Sequence, residues 1–91
     1  MAETLRSEAE IRNSKGLHAR AAAKFCKTVE RFNAEVRVAR NGTEVTGTSI
    51  MGLMMLAAGK GSTVEITATG DDAAAAMTAV MELIARKFDE E

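Results

Sequence analysis

The chain has no proline, tryptophan or tyrosine, and only one cysteine and one histidine. A single cysteine excludes an internal disulfide framework. With one histidine it cannot complete a zinc site, so no metal centre is expected. The lack of Trp and Tyr, with only three Phe, removes the aromatic platforms on which nucleic-acid bases stack. No apolar run approaches the roughly 20 residues needed to cross a bilayer, and residues 1–10 are acidic where a secretory signal would be apolar. The expectation is a reducing, cytoplasmic setting without membrane insertion. Charge of one sign is also missing: 12 Lys and Arg against 13 Asp and Glu leave a formal charge of -1, which argues against a general nucleic-acid binder. At 91 residues, one domain spanning 1–91 is expected, with no deep catalytic cavity.

What is present is unevenly placed. Residues 11–40 set eight bases against Glu30 and Glu35, a net +6, while residues 41–91 set three bases against eight acids, a net -5. The hydrophobic share of 46% is rich in alanine, so the core must come from Val, Ile, Leu, Met and the three Phe.

Leu5, Ser7, Ala9 and Ile11 alternate with charged residues, which predicts a strand over about 5–12 with one buried face. From Ala19 to about Phe32 the period becomes helical. Ala22, Phe25, Cys26 and Val29 share one side, and Arg20, Lys24, Lys27 and Arg31 form a basic stripe on the other. Asn41-Gly42 is the signature of a two-residue hairpin turn between Glu35–Arg40 and Thr43–Thr48, pairing Arg40 with Thr43 and Val38 with Val45. A short helix is expected over Ser49 to about Ala57, capped by Ser49 or Thr48 and stopped by Gly59. Thr63–Thr69 alternates again. Gly70-Asp71-Asp72 then leads into a helix with Ala73, Ala76, Met77, Val80, Leu83 and Ile84 on its inner face.

The order is βαββαβα with every strand alternating, so the sheet has one buried and one wet face. The predicted class is α+β: an open-faced β-sandwich with a four-stranded antiparallel sheet and three helices on one face.

Chemistry concentrates in Ser14-Lys15-Gly16-Leu17-His18-Ala19-Arg20. His18 stands where a loop becomes a helix, beside first-turn amides that have no partner within the helix and that favour anions. Arg20 adds a guanidinium fork suited to phosphate oxygens. The positive helix end and Arg20 disfavour an imidazolium, so His18 is expected to titrate low and present a free lone pair near neutrality. No pair of carboxylates, nucleotide loop or metal cluster is legible around it. A lone histidine is more often a surface group or helix cap than a reactive one, and local physics alone does not separate phosphohistidine chemistry from anion binding.

Gly16-Leu17-His18-Ala19-Arg20, the Asn41-Gly42 hairpin, Ser49-Ile50-Met51-Gly52-Leu53 and the βαββαβα order together resemble the HPr family, the histidine-containing phosphocarriers of the bacterial phosphoenolpyruvate-dependent phosphotransferase system. The resemblance covers essentially the whole chain, and the ending Phe88-Asp89-Glu90-Glu91 is most similar to the nitrogen-related branch. It implies a monomeric carrier, without cofactor, that serves sugar transport or nitrogen regulation as a protein substrate and not as a self-contained catalyst. Enzyme I would place a phosphoryl group on Nδ1 of His18, and His18 would pass it to a histidine of an enzyme IIA protein. The backbone amides of Ala19, Arg20 and Ala21 and the Arg20 side chain would steady the group. Ser49 matches the family's regulatory serine, phosphorylated by HPr kinase/phosphorylase where that enzyme exists.

Ala21 stands where the family commonly has proline. It keeps an N–H and loosens the helix entry. Of the short helix's apolar residues, Leu53 and Leu56 suit the core. Met51 and Met54, with Ile50, are expected to form a docking patch beside His18, flanked by Arg20, Lys24 and Lys27. An alternative reading of the same fold is a regulatory module acting by phosphorylation-dependent contacts.

Overall fold

The computed structural model describes residues 3–90. Met1, Ala2 and Glu91, the last residue of the Phe88–Glu91 ending, lie outside the described residues. The elements are β1 (Glu3–Glu10), α1 (Ala19–Glu30), β2 (Glu35–Arg40), β3 (Thr43–Thr46), α2 (Ile50–Met55), β4 (Thr63–Gly70) and α3 (Ala73–Ala85), followed by a tail turn, Lys87–Asp89. The sheet order is β1-β4-β2-β3, all antiparallel.

The hairpin forms as its turn residues dictate. Asn41 and Gly42 take φ 52° and 83°, as a type I′ turn requires, and Arg40 pairs with Thr43 and Val38 with Val45. Alternation in β2 and β4 sends Val36, Val38, Val64, Ile66 and Ala68 into the core, where they meet Phe25, Val29, Leu53, Val80, Leu83 and Ile84 from the three helices. The opposite face is wet and carries surface pairs such as Arg37 with Glu44 at 2.9 Å and with Glu35 at 3.3 Å. Pairs so exposed contribute about 0–1 kcal/mol each, so the apolar face holds the sheet.

Several boundaries differ from the periodic reading, each for a local reason. β1 ends at Glu10, although Ile11 still donates to Ser62 O at 2.8 Å and accepts from Gly61 N at 2.7 Å. α1 ends at Glu30 with Arg31 as its C-cap. β3 ends at Thr46, because Gly47 is buried under Phe25 and Val36 and turns the chain towards α2. Gly59 does not stop α2. The helix ends at Met55 with Leu56 as cap, and Ala57 itself adopts φ 53°. That early reversal buries Ala58 and aims its carbonyl at Leu17 N, 2.9 Å away. Asp72 precedes α3 without capping it by its side chain; its Oδ2 instead accepts from Asn33 N at 2.6 Å, tying the end of the α1–β2 connection to the start of α3. Among the described residues, no helix is long and apolar enough to cross a membrane.

Candidate functional site

Gly16 brings His18 to its place. It takes φ 67°, and a Cβ there would lie 2.5 Å from Ala58 O, so only glycine allows the loop to lie against the end of α2. Leu17 then buries its side chain, and His18 emerges as the N-cap of α1 in extended conformation, φ -84° and ψ -176°. Its carbonyl accepts from Ala22 N at 2.8 Å, and its Nδ1 accepts from Arg20 N at 3.3 Å. The second bond is long for N–H···N geometry, so the Nδ1 lone pair is only lightly engaged. Ala19 and Arg20 are exposed and Ala21 is buried, so the helix start opens to solvent on the side carrying the Arg20 guanidinium.

The other ring nitrogen meets a group that sequence reasoning did not find. Nε2 lies 2.6 Å from Oε2 of Glu90, separated from it by 72 residues in sequence, so His18 is not surrounded by positive charge alone. A carboxylate thus faces the ring from the side opposite the helix end, a neighbour that the sequence reading of His18 did not include. With the carboxylate accepting at Nε2 and a helix amide donating at Nδ1, the neutral ring is set with its proton on Nε2 and its lone pair on Nδ1.

Glu90 is itself held. Oε1 accepts from Asn13 Nδ2 at 3.0 Å, and the same amide group donates to Gly16 O at 2.7 Å. Asn13 is fully buried, and its Oδ1 has no partner among the described residues. Burial pushes the Glu90 carboxyl up, but the hydrogen bonds from Asn13 and His18, the charge His18 carries when its ring is protonated and the positive charge of Arg20 outweigh it and hold the group below its ordinary value. The tail is fixed behind it. Phe88 is fully buried, its carbonyl accepts from Lys24 Nζ at 2.7 Å, and Arg86 pairs with Asp89 at 2.9 Å. Between α1 and the tail lies a hollow lined by Ser14, Lys15, Arg20, Lys24, Asp89 and Glu90.

Of the other expected residues, Ser49 caps α2 in extended conformation, its Oγ accepting from Gly52 N at 2.9 Å. Leu53 and Leu56 are core, whereas Ile50, Met51 and Met54 are exposed on α2, which packs beside α1. Met55, at 74% exposure, extends that apolar surface and was outside the expected patch. Lys27 is exposed on the surface of α1, but Lys24 is half-buried and committed to the tail. Cys26 is buried in the core, where burial first and the Glu30 charge second push its thiol up, so it fills space as an uncharged group.

Comparison with known proteins agrees with the family resemblance. A family model described as PTS HPr component phosphorylation site matches residues 5–86. The "Phosphocarrier protein HPr" of Neisseria meningitidis serogroup A is 50% identical over 86 residues, covering 94% of this chain and 97% of that protein. The "Phosphocarrier protein NPr" of Shewanella violacea is 38% identical over 86 residues, covering 94% of each. The crystal structure of HPr-C-His from Thermoanaerobacter tengcongensis superposes with a TM-score of 0.91 at 40% identity, covering 96% of this chain and 98% of that one.

Proposed function

Because the chain belongs to the HPr family of phosphotransferase-system phosphocarriers, we propose that His18 receives a phosphoryl group from phosphorylated enzyme I and passes it to a histidine of an enzyme IIA protein. The observation that carries this reading is the arrangement of the ring: Nε2 is occupied by Glu90, while Nδ1 faces the helix start through one long contact to Arg20 N. The Nδ1 lone pair attacks phosphorus in line as the donor's N–P bond breaks and that electron pair returns to the donor nitrogen. The first-turn amides of α1 and the Arg20 guanidinium neutralise the phosphoryl oxygens. Arg20 is exposed, so water screens its hold on the group, which suits a carrier that must also give it away.

Ile50, Met51 and Met54, with Met55, form the surface on which partners dock, and Arg20 and Lys27 steer them, Lys24 adding its charge from its half-buried place against the tail. Ser49 is positioned for regulation by HPr kinase/phosphorylase in cells that have it, because phosphate added at a helix start is electrostatically tolerated and changes the charge of the docking surface without refolding. The working form is a cytoplasmic monomer of one domain. The wording of its tail favours a nitrogen-type enzyme IIA as the acceptor.

The test is incubation with phosphoenolpyruvate and enzyme I. A single acid-labile phosphoryl adduct is expected in the wild type and none in His18→Ala; no adduct in the wild type would sink the carrier reading.

A further inference from the structure

The tail that reaches His18 adopts an unfavourable backbone to do so. Lys87, Phe88 and Asp89 take φ 60°, 55° and 62° in succession, a left-handed run that side chains with a Cβ rarely enter even singly. Asn13 accepts a second cost. Both of its donors are directed to Gly16 O and Glu90 Oε1, and its buried Oδ1 is left without a partner among the described residues. Rotating that amide would set an oxygen against the carboxylate and the carbonyl, so the donors stay where they are and the oxygen stays unpaired. Backbone and side chain therefore both give up local stability at the one place where Glu90 meets His18, and this is where strained geometry points to function.

We propose that Glu90, fixed by Asn13 and by the Phe88 anchor, is a positioning residue for His18: it holds the ring with its proton on Nε2 and balances the positive charge the ring gains on phosphorylation. The proposal deepens the carrier reading and rests on it. When Nδ1 bonds to phosphorus and the donor's N–P bond breaks, no proton leaves His18. The ring then keeps Nε2–H and carries a positive charge formally shared between its nitrogens. A carboxylate 2.6 Å from Nε2 stabilises that charge as it develops. On the opposite edge, the helix start and Arg20 act on the phosphoryl oxygens. The charged groups near the ring are Glu90, which faces Nε2, and Lys15, Arg20 and Lys24, which line a hollow that Glu90 and Asp89 also border, so Arg20 acts on the carboxylate as well as on an incoming phosphoryl group.

The experiment compares wild type, Glu90→Ala and Glu90→Gln by 15N NMR of the His18 ring and by the rate of phosphoryl acceptance from enzyme I. Backbone amide spectra confirm the fold of each. In the wild type the Nε2 proton should be visible and slow to exchange. In Glu90→Ala that signal should vanish into solvent exchange, and acceptance should slow about tenfold, the order expected for losing one charge-assisted hydrogen bond. Glu90→Gln, which can still accept a hydrogen bond but carries no charge, should recover the proton signal and not the rate. Ring signals unchanged in Glu90→Ala would overturn the proposal, and so would an unchanged rate despite altered ring signals. A ring that responds as described in a protein that enzyme I never phosphorylates would leave the brace standing and remove the carrier reading instead.

Discussion

Helices α1 and α2 both begin on an extended residue whose side chain accepts an amide of its own first turn: His18 Nδ1 from Arg20 at 3.3 Å, and Ser49 Oγ from Gly52 at 2.9 Å. Neither first turn contains an acidic residue, so both starts keep their affinity for anions. They differ in what lies behind the cap. Ser49 is held by its own helix through the shorter, ordinary cap bond. His18 has the weaker cap bond and takes its orientation from Glu90 and Asn13, supported by a tail that is packed through Phe88 and Lys24. A cap that only needs to start a helix can be local. A cap whose ring must present one particular nitrogen needs support from the far side, and here that support comes from the other end of the chain.

Breaking the support should separate the two helix starts. The largest effect is expected for Phe88→Ala, which removes a fully buried ring. It should cost about 3–5 kcal/mol of stability and release Glu90 from His18, while leaving the Ser49 cap in place; urea unfolding and amide chemical shifts of Gly52 and Arg20 would measure both parts. Ser49→Ala should act the other way round. Losing one cap bond should cost about 1 kcal/mol, with the His18 ring signals unchanged. The smallest effect is the response to acid. The Glu90 carboxyl lies below its ordinary value near 4.5 in the folded chain, so its contribution to stability is present above that value and is lost as pH falls through the lower folded one. The difference in urea midpoint between wild type and Glu90→Gln should therefore shrink between about pH 6 and about pH 3.

How legible these features were in the sequence depends on how far apart their parts lie. The hairpin needs only two turn residues and the valines beside them, and its register follows from Asn41-Gly42. The start of α1 is equally local, since Gly16 and the change of period at Ala19 lie within a few residues of each other. The order β1-β4-β2-β3 carries no such mark, because an alternating strand shows which face is buried without naming its neighbour. Ala57 and the run Lys87–Asp89 were illegible for another reason: tertiary packing forces left-handed backbone on residue types that do not favour it. The same gap hid half of the site. Arg20 and Ser49 could be placed from their helix starts, but Glu90 meets His18 only after the whole chain has folded. The one sequence signal was an aromatic, Phe88, just past the end of an amphipathic helix.

The net charge of the chain takes on a different meaning beside this site. The basic segment from residue 11 to 40 supplies His18 and also Lys15, Arg20 and Lys24, which line the hollow beside Glu90, and the acidic end of the chain returns one carboxylate to the ring. Near-neutrality is thus repeated locally: Lys15, Arg20 and Lys24 share one hollow with Asp89 and Glu90, and Glu90 also faces the ring nitrogen that carries the proton.

The most direct test of the central claim is a 31P–15N coupling measurement on the ring-labelled protein after phosphorylation by enzyme I and phosphoenolpyruvate. The account predicts coupling of phosphorus to Nδ1 of His18, with Nε2 still carrying its proton. Coupling to Nε2, or no phosphorus on the ring at all, would contradict it.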